Sequence, residues 1–124
     1  MEYMDAGGSF LIAYTDLGLG NGSTTFYQTY LQSNFIGDDP YIDTLNGQDI
    51  MAGLTLNIAS DLWPDHFSVA AQGTQIFQFS GGNAAGVAVD REGYKAIYFS
   101  FDYDCMASAA NEEAVIDRSL DFLQ

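Results

Sequence analysis

Two residues of the sequence have the chemistry for nucleophilic catalysis, Cys105 and His66. A cysteine nucleophile needs a base within hydrogen-bond reach and positive surroundings that lower the pKa of its thiol. Cys105 instead follows Asp102 and Asp104, whose negative charges oppose formation of a thiolate. The sequence therefore favours a structural cysteine and predicts no catalytic residue. A hydrolase acting through Cys105, His66 and Asp104 is the alternative.

Acidic residues form one possible metal site, because Asp38, Asp39 and Asp43 could supply the oxygen ligands that calcium prefers. Their spacing matches neither the twelve-residue EF-hand loop nor a tandem glycine-aspartate repeat. The sequence therefore predicts no metal and no cofactor, with calcium as the alternative and these three residues as its candidate ligands. The same segment with Tyr14 and Trp63 gives another alternative, a carbohydrate- or calcium-binding module.

A glycine-rich stretch, residues 16–22 with the sequence DLGLGNG, follows an apolar run and precedes a predicted helix. Such a position can hold a phosphate group on backbone N–H groups. The stretch lacks the lysine of a P-loop and the spacing of a dinucleotide-binding motif. We therefore expect a plain loop here.

The composition describes one folded domain with an acidic surface. The chain has 124 residues, 48% of them hydrophobic, and a formal net charge of -14. This charge repels phosphate backbones and anionic lipids, so neither nucleic acid nor a membrane surface is an expected partner. A single cysteine excludes an internal disulfide.

Apolar periodicity and turn residues predict the elements that would position these groups. The terminal helix is the clearest, because Ile116, Leu120 and Leu123 recur at helical spacing and would form its buried stripe. A second helix would bury Tyr27 and Leu31. Predicted strands cover residues 9–14, 74–79, 84–89 and 96–101, short strands lie within 41–59, and predicted helices cover 24–32 and 111–123.

The order of these segments resembles a known family. The motifs GGSFLIAYTD, WPD, YKAIYFSFDYD and DRSLDFL look like the second half of class I glutamine amidotransferase-like, flavodoxin-like domains. The most similar versions are degenerate, non-enzymatic domains of secreted bacterial proteins, related to the trimerisation domain of some β-galactosidases. The resemblance implies an extracellular or periplasmic protein.

The resemblance also implies that the catalytic positions are empty. Active amidotransferases have a cysteine at the end of the strand that here reads FLIAYTD, where this chain has Ala13, Tyr14 and Thr15. Their histidine position is occupied here by Asp102. The resemblance therefore implies the scaffold without the activity. An amidotransferase relative that acts through Cys105, His66 and Asp104 is the alternative.

These observations predict an α/β fold, a partial flavodoxin-like three-layer sandwich. Its sheet would be mostly parallel, with a short antiparallel excursion over residues 74–89. A domain that starts partway through such a sheet would have exposed edges, which invite pairing with another chain. The predicted function is a non-catalytic interaction or assembly module of a larger exported protein, a homo-oligomer through its sheet edges.

Overall fold

The structure is a computed structural model that describes residues 7–38, 44–58, 63–103 and 106–124. Its strands are β1 (Ser9–Ala13), β2 (Ser33–Asp38), β3 (Thr44–Gly47), β4 (Thr55–Asn57), β5 (Asp65–Val69), β6 (Gly73–Phe79), β7 (Ala84–Arg91) and β8 (Tyr94–Phe99). Its helices are α1 (Leu17–Asn21) and α2 (Ala109–Leu123), with a π-helical segment (Phe26–Tyr30) and a 3₁₀ turn (Asp49–Met51).

The predicted mostly parallel, flavodoxin-like sandwich is wrong. The described strands form one mixed, curled sheet in the order β1-β8-β7-β6-β3-β4, with β5 paired to β7 and β2 paired to β5. Among these pairs β1 and β8 run parallel, and the others are antiparallel. The architecture is therefore mostly β, and the antiparallel part is the body of the sheet rather than an excursion.

Short connections explain the antiparallel sheet. Residues 80–83 join β6 to β7, and two residues, Glu92 and Gly93, join β7 to β8. Parallel neighbours need a crossover of a dozen or more residues, so strands joined this closely must fold back as hairpins. Gly93 has a φ of 102°, which a tight turn requires and glycine adopts without strain. The turn residues of this region were visible in the sequence, but their consequence for strand direction was missed.

Apolar side chains fill both faces of the central strands. On one face, Ile97 and Phe99 of β8 lie in a cluster with Val115 of α2. On the other face, Tyr98 packs with Tyr27 of the π-helical segment. Burial on both faces is typical of the centre of a sheet. The core is therefore built around β7 and β8, with α2 on one side and the π-helical segment on the other.

The terminal helix α2 starts as its sequence predicts. Ser108 is the N-cap, and its hydroxyl accepts a hydrogen bond from the backbone N–H of Asn111 at 3.3 Å. The predicted buried stripe is partly wrong, because Leu120 is 51% exposed whereas Ser119 is buried. Ser119 avoids an unsatisfied hydroxyl by donating to the carbonyl of Val115 at 2.7 Å.

Candidate functional site

The residues of the catalytic alternative are only partly described. Cys105 and Asp104 lie outside the described residues. His66 lies in β5, where it is 5% exposed and its ring stacks on Phe79 with 4.1 Å between ring centroids. Its Nδ1 lies 3.2 Å from the side-chain nitrogen of Asn83. His66 is thus a packed core residue rather than a group presented to a substrate.

The metal candidates are also only partly described. Asp38 ends β2, whereas Asp39 and Asp43 lie outside the described residues. Within the described part of the chain, no three His, Cys, Asp or Glu side chains are grouped so that they could hold a metal ion. The calcium alternative therefore stays a prediction. In the same part of the chain no helix is long and apolar enough to cross a bilayer.

The glycine-rich stretch is not the plain loop that was expected, because it forms α1. Its first backbone N–H groups already have a partner from the same chain: Asp65 Oδ2 accepts from the N–H of Gly18 at 2.6 Å and from that of Leu19 at 3.3 Å. A carboxylate from strand β5, 47 positions away, thus occupies the place that a phosphate would take. This occupancy argues against a phosphate cradle.

Asp65 is the one buried carboxyl group among the residues that the structure describes. Its side chain is completely buried, and its Oδ1 has no hydrogen-bond partner. Burial raises the pKa of this carboxyl group from 3.8 to about 6, against the lowering effect of the hydrogen bonds from Gly18 and Leu19. The nearby charges of Asp16 and Asp38 raise it further. Asp65 therefore changes charge at a much higher pH than an ordinary aspartate.

Two buried tyrosines complete the surroundings of this carboxyl group. The hydroxyls of Tyr27 and Tyr98 lie 3.3 Å apart, and their rings meet edge to face at 5.5 Å. Burial raises the pKa of both phenols well above its usual range, so both stay neutral. A Cβ on Gly18 would lie 2.7 Å from the Tyr27 hydroxyl and 3.0 Å from Asp65 Oδ2. Glycine is thus required where α1 meets this polar cluster.

The cluster of Gly18, Tyr27, Asp65 and Tyr98 was missed from the sequence because no predicted strand or helix includes Asp65. The motif WPD did contain a signal, since an acidic residue directly after a proline and before the apolar Phe67 can begin a strand and point inward. Chemically, Asp65 can exchange a proton near neutral pH. Complete burial keeps it from acting on a substrate in this conformation.

Two exposed aromatic residues lie on the chain segments around this cluster. The backbone N–H of Asp65 donates to the carbonyl of Thr15 at 3.2 Å, which joins the segment after Tyr14 to the segment after Trp63. Tyr14 is 49% exposed and Trp63 is 51% exposed. Trp63 has a φ of 49°, in the left-handed region that non-glycine residues rarely adopt, and it precedes a proline. The two residues proposed for carbohydrate binding thus lie on joined segments.

The outer edge of β1 is the second notable surface. Tyr14 donates its N–H to the carbonyl of Phe99, and backbone groups alternate in direction along a strand. Phe10 and Ile12 therefore direct their N–H and C=O groups toward β8. The residues that direct theirs away from β8 are Ser9, Leu11 and Ala13. No other described strand pairs with this side of β1.

Comparisons with known proteins give the fold and no family. No family model matches the chain, and no curated protein has significant sequence similarity to it. Several solved structures share its fold.

The mmIFT52 N-terminal domain superposes with a TM-score of 0.68 at 11% identity, over 98% of this chain and 67% of that one. A β-galactosidase from Rahnella sp. R3 gives a TM-score of 0.65 at 14% identity, over 96% of this chain. The exo-β-1,4-mannosidase Op5Man5 from Opitutaceae bacterium strain TAV5 gives 0.61 at 9% identity, over 98% of this chain. This chain spans only 19% and 20% of the two glycosidase chains, so it has the fold of a part of each.

Proposed function

We propose that this domain is a non-catalytic assembly module that associates with a second copy of itself through the outer edge of β1. The observation that carries the proposal is the character of β1, which lies at the edge of the sheet formed by the described strands and has the composition of a central strand. Its sequence SFLIA has no charged residue and no proline. Natural edge strands are protected against pairing by such residues.

Both faces of β1 support the proposal. Leu11 and Ala13 pack against the core cluster on the side of α2, and Phe10 and Ile12 pack against the opposite cluster. All five residues of β1 nevertheless remain partly exposed. An added strand would cover apolar surface on both faces and pair with the outward backbone groups of Leu11 and Ala13 at once.

A two-fold symmetric arrangement fits this edge. If two β1 strands pair in antiparallel fashion about Leu11, then Ser9 of each copy lies opposite Ala13 of the other. Each hydrogen-bonded pair exchanges two bonds, so three pairs give about six hydrogen bonds. Such an isologous interface closes the assembly at two copies and leaves no further β1 edge.

The surrounding charge is compatible with this pairing. Lys95 lies opposite Ser9 in the register of β1 and β8, so the edge is flanked by one of the three cations of the chain. A cation beside the edge lowers the repulsion between two acidic chains that approach each other there.

Substitution of Ala13 tests the proposal, because its N–H points away from β8. Ala13→Pro removes an outward donor and places a ring on the edge without removing a hydrogen bond to β8. Light scattering after size exclusion is expected to show a dimer for the wild type and a monomer for this variant, with the same circular dichroism spectrum. The matched control Ala13→Ser keeps the N–H and is expected to remain a dimer.

Two results would overturn the proposal. One is a wild-type chain that stays monomeric over a wide concentration range. The other is an Ala13→Pro variant that is folded and still dimeric, since association would then use another surface.

The catalytic alternative receives less support than the assembly module, because the His66 ring is stacked on Phe79 in the core. If any hydrolytic activity is found, Cys105→Ser tests it, and retained activity removes this alternative.

A further inference from the structure

We propose that Asp65 acts as a pH-dependent latch. Ionisation of its buried carboxyl group weakens the attachment of α1 and of residues 63–64, the Trp63 segment, to the sheet, and protonation restores this attachment. The proposal goes beyond the assembly function and does not depend on it. It rests on a buried carboxyl group that holds two chain segments and has one oxygen without a partner.

The latch has two points of attachment. The side chain of Asp65 accepts hydrogen bonds from the first N–H groups of α1, and its backbone N–H donates to Thr15. Asp65 therefore joins β5 to the chain segment that leaves β1 and enters α1. With five residues, only two of them buried or partly buried, α1 has little stability of its own.

The groups facing Asp65 penalise its negative charge. Tyr27 of the π-helical segment and Tyr98 of β8 are neutral and bonded to each other. Asp16, which precedes α1, and Asp38 at the end of β2 are acidic and repel it. His66 follows Asp65 on β5 and points to the opposite face, where it stacks on Phe79. The described contacts of Asp65 thus include no cation that compensates its charge.

These surroundings predict that the protein opens more readily when Asp65 is ionised than when it is protonated. The ionised carboxylate has a buried Oδ1 that no donor reaches, and water is the available donor if the segment moves. The protonated carboxyl group is neutral and avoids the cost of a buried charge, which exceeds the cost of its unpaired O–H donor. Trp63 adds a reason for movement, since its left-handed backbone conformation is strained and relaxes when the segment opens.

The expected direction and range follow from linkage. The pKa of Asp65 is about 6 in the closed state, and an opened, solvated carboxyl group returns to an ordinary value of 3.8. The equilibrium constant for opening therefore rises about tenfold per pH unit between pH 3.8 and about 6, which gives a total of about 100-fold. Above this range it is constant.

Amide hydrogen exchange followed by NMR tests the latch. After correction for intrinsic exchange, the protection factors of the Gly18 and Leu19 amides are expected to fall up to about 100-fold as the pH rises from about 4 to about 6. The amide of Ile97 in β8 serves as an internal reference and is expected to change much less. In Asp65→Asn the protection of the two α1 amides is expected to be independent of pH.

Trp63 provides an independent readout, because it is the single tryptophan of the chain and lies two residues from Asp65. Its fluorescence is expected to change with an apparent pKa near 6 in the wild type. Carbon-13 shifts of the Asp65 carboxyl group assign this titration to Asp65.

Three outcomes overturn the latch. The first is a wild-type Asp65 carboxyl group that titrates near 4, which the wild-type spectra decide even if Asp65→Asn does not fold. The second is protection of Gly18 and Leu19 that does not vary with pH. The third is an Ile97 amide that varies as much as they do, since the titration would then act on global unfolding.

Discussion

Replacement of Asp65 by asparagine is expected to stabilise the protein at neutral pH. Asparagine retains a side-chain oxygen that can accept from the N–H of Gly18, so the attachment of α1 is kept. It removes the buried negative charge. The usual effect of replacing a buried, hydrogen-bonded carboxylate is a loss of stability, so the predicted sign is a strict test.

The size of the effect follows from the pKa of Asp65, which is about 6 in the folded protein and 3.8 ordinarily. One pKa unit corresponds to about 1.4 kcal/mol, so the ionised carboxyl group costs the folded state up to about 3 kcal/mol at pH 7. The buried amide group of asparagine brings an N–H without an acceptor, which costs about 1 kcal/mol. We expect Asp65→Asn to raise the free energy of unfolding by about 1 to 2 kcal/mol at pH 7.

The pH dependence has a definite sign. Because the folded pKa is raised, the stability linked to Asp65 is fully present below pH 3.8 and is lost as the pH rises to about 6. The advantage of Asp65→Asn over the wild type should therefore shrink by about 2 kcal/mol between pH 7 and pH 4.5.

Urea denaturation of both proteins at a series of pH values measures this difference. Asp117→Asn is the matched control, because Asp117 is exposed on α2 and its replacement changes the net charge equally. This control is expected to follow the wild type within about 0.5 kcal/mol. If the wild type and Asp65→Asn differ by the same amount at every pH, Asp65 titrates as an ordinary aspartate and the reasoning is refuted.

Three further predictions follow from the same structure. Gly18→Ala should destabilise the protein by about 1 to 3 kcal/mol, because its Cβ would lie 2.6 Å from the Phe35 ring. The matched variant Gly20→Ala should stabilise the protein by up to about 1 kcal/mol, because a Cβ there meets nothing within 4 Å. Urea denaturation measures both effects. Tyr98→Phe should cost about 1 to 2 kcal/mol by leaving the Tyr27 hydroxyl unpaired, and adding Tyr27→Phe should recover part of that loss in a double-mutant cycle. Salt should tighten the proposed dimer, because screening weakens the repulsion between chains of net charge -14; a dissociation constant from analytical ultracentrifugation that rises with salt would contradict this.

The sequence predicted elements well where their pattern was purely apolar. The predicted strands at 9–14, 74–79, 84–89 and 96–101 and the terminal helix are confirmed within a few residues as β1, β6, β7, β8 and α2. Tyr27 and Leu31 are buried as expected. Burial of apolar side chains dominates these segments, so their periodicity reports their structure directly.

Strands β2 and β5 were missed because they bury polar residues. Ser33, Asp65 and His66 are all at most 5% exposed, although their side chains are of types usually found at the surface. Their burial depends on partners from distant parts of the chain, such as the backbone of α1 for Asp65 and the Asn83 side chain for His66. These partners cannot be identified from local spacing. The candidate site was missed for the same reason.

The predicted fold was wrong because the direction of the strands was inferred from a family resemblance instead of from the lengths of the connections between strands. The two-residue link of Glu92 and Gly93 requires a hairpin. The resemblance to class I glutamine amidotransferase-like domains itself stays a prediction, as do the exported location and the homo-oligomer.

The parallel pair of β1 and β8 has a consequence for the order of folding. Ser9 pairs with Lys95, so most of the chain lies between the two partners, whereas β6, β7 and β8 are joined by short turns. Closing so long a loop is slow relative to forming hairpins, and β1 cannot pair until β8 has been synthesised. During synthesis the apolar segment SFLIA therefore waits without its partner strand, and a chaperone that binds exposed apolar segments would find it there.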